Sequence, residues 1–299
     1  YFEDCYKENA FLAEDIRQTV QNGVPLSEIA VLFRTNMQPR ALMEYMVSAN
    51  LAFQTKDRIP DIYEHWIARD FFTYIRIAQG SDSRADFLSI MNRPKRYIGR
   101  DSLPDETVCF DEWVKLYEEQ PWIAERIEKL WYDLKHLSRL SPYAAINYIR
   151  RGIGYDDYLA EYAEYRNANK EDFYEVADEI LASAKGYRTF EEWFAHIEEY
   201  RQELKRLAQE KRRNQNAVTF ATLHSAKGLE FTKVYLIDVN EGVMPYKKAV
   251  LKQDVEEERR LFYVGMTRAK ESLTICSVKK MRGKEVELSR FIKEVGKEP

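Results

Sequence analysis

The chain has 299 residues, of which 45% are hydrophobic and 32% charged, and a formal net charge of −4. This is the composition of a soluble globular chain with apolar residues enough for one large core or two ordinary ones, and no run of 18 apolar residues is present to cross a bilayer as a helix. The acidic balance argues against wholesale electrostatic adhesion to nucleic acid and leaves local basic patches to be sought one by one.

Cys5, Cys109 and Cys276 are odd in number and far apart, so they give neither a disulfide framework nor a C-x-x-C metal pair. A reducing cytoplasm is the expected location. His65, His136, His196 and His224 are equally scattered, and no protein-bound metal is expected. The chain opens on Tyr1 without a basic and then apolar signal segment, which leads to the expectation that it is part of a longer polypeptide.

In chain order, Phe2, Tyr6, Phe11, Leu12, Ile16 and Val20 recur at helical spacing, and Asn22-Gly23 supplies a stop, so Phe2–Val20 is predicted to be a helix. Ile29–Phe33 (IAVLF) reads as a strand. After Arg34-Thr35-Asn36, Pro39 opens a helix carrying Leu42, Met43, Met46 and Val47. From about Asp57 to Asn216 the period is helical throughout, with Gly80, Pro94, Gly99, Pro104, Pro121, Pro142 and Gly186 as punctuation and no convincing strand. The charged run Glu198–Arg213 reads as a solvated helix face.

Strand character returns with Val218–Leu223 (VTFATL), Val234–Val239 (VYLIDV) and Ser272–Val278 (SLTICSV). The last follows a helix that contains EEERRLFYVGMTRAK, and SRFIKEV begins a final short helix. An α/β pattern that stops near residue 57 and resumes near 217 predicts a parallel-sheet domain, 1–57 with 217–299, interrupted by an all-helical domain over 58–216.

Ligands of open parallel sheets gather where strands end, which directs attention to Thr222–Phe231 (TLHSAKGLEF). Ser225, Ala226 and Gly228 are small enough for close backbone approach, Lys227 brings a positive charge, and Glu230 can accept from a ribose hydroxyl. In Glu256–Lys270 the helix starts acidic and ends basic, as the helix dipole favours. Thr267-Arg268-Ala269 falls just before a strand, a boundary from which a guanidinium can reach out of the domain towards a transferred phosphoryl group. The phosphate-cradling pattern G-x-x-x-x-G-K-[ST] is absent from these 299 residues.

TLHSAKGLEF followed by EEERRLFYVGMTRAK, with Glu230 and Arg268 38 positions apart, resembles motifs V and VI of the UvrD/PcrA/Rep helicases of superfamily 1. IAVLFRTNMQPRALMEYM resembles the strand-turn-helix that precedes the inserted domain in that family. The resemblance implies an α/β fold in which a RecA-like parallel-sheet domain, 2A, is interrupted by an all-helical inserted domain, 2B. It also implies an ATP-dependent motor stepping 3′-to-5′ along single-stranded DNA, and a partner in the N-terminal RecA-like half of the same chain, which would carry the phosphate loop. ATP and Mg2+ would be bound by the intact parent and not tightly by this part, which by itself would be inactive. The protein would be a monomer, bound to DNA and to no membrane.

Carried over by residue, the resemblance makes Arg268 the arginine finger, Lys227 a lysine near the phosphates in a turn opened by Gly228, and Glu230 the ribose-contacting acid. His224, Arg34 and Asn36 would touch the single strand. Tyr246 replaces a histidine and would contact a base by stacking. The loop Met91–Arg100 (MNRPKRYIGR) resembles the duplex-contacting element of the inserted domain, with Arg93, Lys95 and Arg96 as its phosphate contacts, although Tyr97 stands in place of that element's first glycine. Two other readings are a non-catalytic DNA-binding or protein-docking module and the helicase half of a nuclease-helicase repair enzyme.

Overall fold

The computed structural model describes residues 1–57, 59–209 and 216–296. It begins with β1 (Phe2–Asp4), α1 (Cys5–Gln21), β2 (Ile29–Phe33), α2 (Arg40–Ser48) and β3 (Phe53–Thr55). Helices follow: α3 (Trp66–Ala78), α4 (Arg84–Ile90), α5 (Phe110–Lys115), α6 (Pro121–Leu137), α7 (Pro142–Arg151), α8 (Tyr155–Tyr165), α9 (Lys170–Ser183) and α10 (Phe190–Gln209). The chain then forms β4 (Val218–Thr222), β5 (Phe231–Leu236), α11 (Lys252–Met266), β6 (Ala269–Ile275), β7 (Val278–Met281), β8 (Lys284–Glu285) and α12 (Arg290–Val295).

These elements divide into two compact units, Tyr1–Pro60 with Glu199–Pro299, and Asp61–Glu198. The division falls inside α10. Of the charged run Glu198–Arg213, residues 210–213 lie outside the described residues, as does residue 58.

In the first unit, β3, β4, β2, β5 and β6 lie side by side in that order, and every neighbouring pair is parallel. β2 reads IAVLF with all five residues buried, which a strand needs when both faces of a parallel sheet are covered. Alternation along β5 assigns the two faces. Lys233 Nζ and Tyr235 OH both reach the Asp15 carboxylate of α1 at 2.6 Å. Val234 and Leu236 pack on the other side with Ala30, Leu32 and Ala221 against Leu261 and Phe262 of α11 and Phe291 of α12.

One helix expectation and one strand expectation are corrected. Phe2–Asp4 is not helical; it pairs in parallel with β7, Phe2 opposite Val278. Asp4, at φ −154° and ψ 175°, caps α1 by accepting from Lys7 N at 3.0 Å, so a strong N-cap residue starts the helix three positions late. SLTICSV is two strands in two sheets. Asn240, fully buried, accepts from Val278 N at 3.1 Å and donates to Val278 O at 2.7 Å, so a side-chain amide stands in for a strand neighbour and the chain changes sheet. β7 and β8 then form a hairpin whose turn residues Arg282 and Gly283 have φ of 51° and 78°, as the tight primed turn requires. β3, three residues long, had no legible pattern.

In the second unit, Asp61–Glu198, the regular elements are helical, with an isolated bridge between Ser83 and Thr107. Phe71, Tyr74, Phe87, Trp113, Tyr155 and Trp193 are buried in it. Asp70, 3% exposed, accepts two bonds from Arg93 Nη1 at 2.8 and 2.9 Å and one from Tyr155 OH at 2.6 Å, the pairing that makes a buried carboxylate tolerable. Among the described residues no helix is long and apolar enough to cross a membrane, and no group of three or more His, Cys, Asp or Glu is placed to hold a metal.

Candidate functional site

Arg268 lies between α11 and β6, half-buried. Its Nη1 donates to Leu229 O at 3.0 Å, its Nε to Val264 O at 2.9 Å and its Nη2 to Thr267 Oγ1 at 3.0 Å. Its carbonyl oxygen accepts from Phe231 N at 2.9 Å. Bonds to residues 229 and 231 straddle Glu230, so the two sequence motifs are stitched together at their functional ends. The guanidinium was expected to reach outward; instead three of its donors rest on its own unit.

The turn that carries Lys227 is built by small polar residues. Thr222 Oγ1 accepts from Ser225 N at 3.2 Å, and the Asp57 carboxylate accepts from Thr222 N at 2.7 Å and from the Ser225 hydroxyl. Ala226 is fully buried between exposed neighbours. Gly228 has φ +80° with nothing within 4 Å of a would-be Cβ, so glycine is required by backbone conformation rather than by space. Lys227 is exposed; its backbone N donates to His224 O at 3.3 Å, and its side chain has no hydrogen bond or ion pair among the described residues.

Arg34 follows β2 directly and forms a second cluster. Its Nε and Nη2 clasp the Glu258 carboxylate at 2.8 to 3.1 Å, with side-chain exposures of 20% and 9%. Glu258 Oε2 also accepts from Tyr246 N at 3.1 Å, and the Arg34 guanidinium lies 5.2 Å from the centre of the Tyr246 ring. His224 is exposed nearby; partial burial first, then the charges of Arg34 and Lys227, hold it below the ordinary imidazole value, with Glu258 opposing. Thus Arg34, Tyr246 and His224 converge.

Asn36 contributes differently, since its Oδ1 is buried without a partner among the described residues. Gln38 closes the turn, its Oε1 accepting from Arg34 N at 2.8 Å and Thr35 N at 2.7 Å.

The clusters lie at opposite edges of the sheet. Thr219, Ala30 and Val234 are level; Thr222 lies three residues beyond that line and Phe231 three before it, a separation of about 20 Å along the strands. Turn 223–230 therefore crosses the sheet, and only its His224 end sits at the carboxyl edge anticipated for ligands. α11 runs the same way, about 22 Å long for 15 residues, with Glu258 towards Arg34 and Arg268 just beyond its far end. Gly265 lets it lie close, because a Cβ there would fall 2.4 Å from Leu223 Cδ2 and 3.2 Å from Leu236 Cδ2.

Sequence reasoning missed Glu258 and Asp57. Glu258 was legible in principle, because the buried residues of α11 are Glu258, Leu261, Phe262 and Gly265, an i, i+3, i+4, i+7 stripe in which a carboxylate needs a cationic partner. Asp57 gave no such signal, because its partners lie 165 and 168 residues away.

The family model for the UvrD-like helicase C-terminal domain matches residues 1–108 and 123–280. The chain belongs to this family. It is similar to the putative ATP-dependent DNA helicase YjcD of Bacillus subtilis, with 27% identity over 98% of this chain, and to the ATP-dependent DNA helicase PcrA of the same organism, with 29% over 92%. It is also similar to the ATP-dependent DNA helicase Rep of Escherichia coli, with 27% over 92%. It spans 39%, 40% and 44% of those three relatives, about two-fifths of their length.

In this UvrD-like chain the basic loop of the second unit differs from expectation. Arg96 is 7% exposed, and its guanidinium donates to Ile90 O, Met91 O and Pro94 O at 3.1 to 3.4 Å. It also donates to Tyr74 OH at 3.1 Å. The expectation that Arg96 meets DNA phosphate is therefore corrected: it holds the loop from inside. Arg93 is committed to Asp70, whereas Lys95 is exposed and only loosely paired with Glu161 at 3.3 Å. The string RGIG at Arg151–Gly154 is a helix connection, with Gly154 at φ +90° between α7 and α8.

Proposed function

We propose that the chain is the C-terminal part of an ATP-dependent 3′-to-5′ DNA helicase or translocase, its parallel-sheet unit a RecA-like 2A domain and its helical unit the inserted 2B domain. Arg268 is the arginine finger. Lys227, Gly228 and Glu230 complete one wall of a nucleotide cleft whose phosphate loop and Mg2+-binding acid belong to an N-terminal RecA-like half. The observation that carries this reading is the pair of bonds at Arg268, in which the guanidinium donates to Leu229 O and the main-chain carbonyl accepts from Phe231 N, so that residue 268 is joined to the backbone on both sides of the acid expected to bind ribose.

Charge develops on the transferred phosphoryl group during hydrolysis, and a positioned guanidinium stabilises it by about 10³- to 10⁵-fold in rate where such a finger operates. The bonds from Nη1, Nε and Nη2 hold Arg268 in a fixed place on its own unit. At the other edge, Arg34, His224 and Tyr246 form the single-strand face: Arg34 as phosphate contact, Tyr246 as stacking surface. Asn36 flanks them in the turn that Gln38 closes. Lys95 and Arg93 border the 2B loop.

The test is made in the intact parent. Arg268→Ala lowers hydrolysis by orders of magnitude and leaves nucleotide binding nearly unchanged. A kcat close to the unaltered protein's would refute the finger. The 299-residue chain alone is expected to hydrolyse no ATP, and turnover by it would refute the division of the cleft between two halves.

A further inference from the structure

One residue of the second unit adopts a conformation its own chemistry disfavours. Tyr97 has φ +59° and is 64% exposed, and a bulky side chain enters this left-handed region only when its surroundings impose it. The imposition is visible on both sides. Asn92 Oδ1 accepts from Arg96 N at 3.2 Å and from Ile98 N at 3.1 Å, while Asn92 Nδ2 donates to Ile98 O at 2.8 Å. Arg96 and Ile98 are buried, at 7% and 3%. The loop is thus anchored before and after Tyr97, and the one aromatic ring between the anchors is turned into solvent.

That ring has company. The Arg126 guanidinium, bonded through Nη1 to Arg96 O at 3.0 Å, lies 5.2 Å from the Tyr97 ring centre and 4.9 Å from that of Trp122. Trp122 is itself 50% exposed. Two accessible aromatic faces are therefore bridged by one cation on a rigid loop, and Lys95 stands exposed two residues before Tyr97.

We infer that Tyr97, Arg126 and Trp122 form a stacking platform for an unpaired nucleobase of single-stranded DNA. The inference rests on the DNA reading proposed above and changes the contact this loop makes. Every base has a π-face that an exposed aromatic ring can meet, and a guanidinium adds its own stacking and charge. A base inside a duplex offers no such face, so a side chain at position 97 favours strand over duplex. The cations of the platform, Arg126 and Lys95, suit the phosphate on either side of the stacked base. Because the loop is already fixed, binding orders nothing further.

The test is binding of the 299-residue chain, by fluorescence anisotropy, to labelled oligothymidylate, to an abasic strand with the same phosphates, and to a blunt duplex. Tyr97→Ala and Trp122→Ala are expected to weaken oligothymidylate binding by about 5- to 150-fold, the range for losing one stacked base, and to leave the abasic strand and the duplex unaffected. Tyr97→Phe retains the affinity. Tyr97→Gly relieves the left-handed strain, so its Tm rises while its oligothymidylate affinity falls, a combination that a purely structural tyrosine would not give. If both alanine variants bind oligothymidylate as the unaltered chain does, the platform is overturned and the DNA reading stands. If the chain binds none of the three ligands, both fall together.

Discussion

Glu258 holds Arg34 in a two-pronged clasp across 224 residues of sequence, with Arg34 Nη2 2.8 Å from Glu258 Oε1 and Arg34 Nε 2.9 Å from Oε2. The same carboxylate accepts from the Tyr246 backbone, so one acid on α11 fixes both the guanidinium and the aromatic residue over which it lies. Glu258→Gln keeps the shape and removes the charge. It is expected to lower stability by on the order of 2 kcal/mol, since a partly buried charged pair is broken, and to weaken single-strand binding without changing ATP affinity in the parent. Urea unfolding and strand titration measure the two effects separately.

Arg268 is clasped less tightly, by neutral acceptors alone. Arg268→Lys cannot reproduce the fork that reaches Val264, Leu229 and Thr267 together. The expected outcome is a stability loss of only about 1 kcal/mol alongside a hydrolysis defect in the parent nearly as deep as that of Arg268→Ala. Steady-state kcat of the lysine variant decides it.

Gly265 is the point where α11 touches the sheet. Gly265→Ala places a methyl group against Leu223 and Leu236, both at most 2% exposed, and overpacking of that kind costs about 1–3 kcal/mol. Because α11 carries Glu258 and leads into Arg268, the displacement should impair both clusters at once. Loss confined to one of them, by strand binding and by hydrolysis in the parent, would argue against a rigid helix.

Glu8, on α1, is 2% exposed; burial and then the Asp238 carboxylate beside it push its carboxyl up from 4.5 to about 9. The folded chain therefore keeps a proton that the unfolded chain releases, and this contribution to stability is complete below about pH 4.5 and is lost as pH rises through about 9. The neighbouring Cys276 thiol, raised chiefly by burial, adds no charge in that window. Glu8→Gln is expected to flatten the fall in Tm between about pH 4.5 and about 9. A decline as steep as in the unaltered chain would show that another group is responsible.

Arg96 supports its loop from within, so Arg96→Ala leaves the carbonyls of Ile90, Met91 and Pro94 and the hydroxyl of Tyr74 without their shared donor. A loss of about 2–4 kcal/mol is expected, seen in thermal unfolding. Lys95→Ala, at an exposed site, should leave stability within about 0.5 kcal/mol.

Much of this was legible locally. The apolar run of Ile29–Phe33, the helix opened at Pro39 and the helical period from about Asp57 to Asn216 each depend on neighbours within a few positions, and the described residues there form those elements. The two motifs also announced Lys227, Glu230 and Arg268 as candidates by residue type and spacing. Strand ends were less legible. β6 and β7 read as one strand because Asn240, which separates them, lies 38 residues before Val278.

The sequence by itself determined the α/β pattern, the helical interruption and the family, because hydrophobic period and motif spacing are properties of short segments. Only the tertiary structure decided which cations are available. Arg96 and Lys95 are one residue apart and equally basic on paper, yet one is buried under four acceptors and the other is in solvent. Glu256, Glu257 and Glu258 are the same residue three times, and only the third falls on the stripe facing the sheet and meets Arg34. Desolvation and pairing depend on what the fold brings alongside, which for Arg96 includes Tyr74, 22 residues away, and for Glu258 is Arg34, 224 residues away.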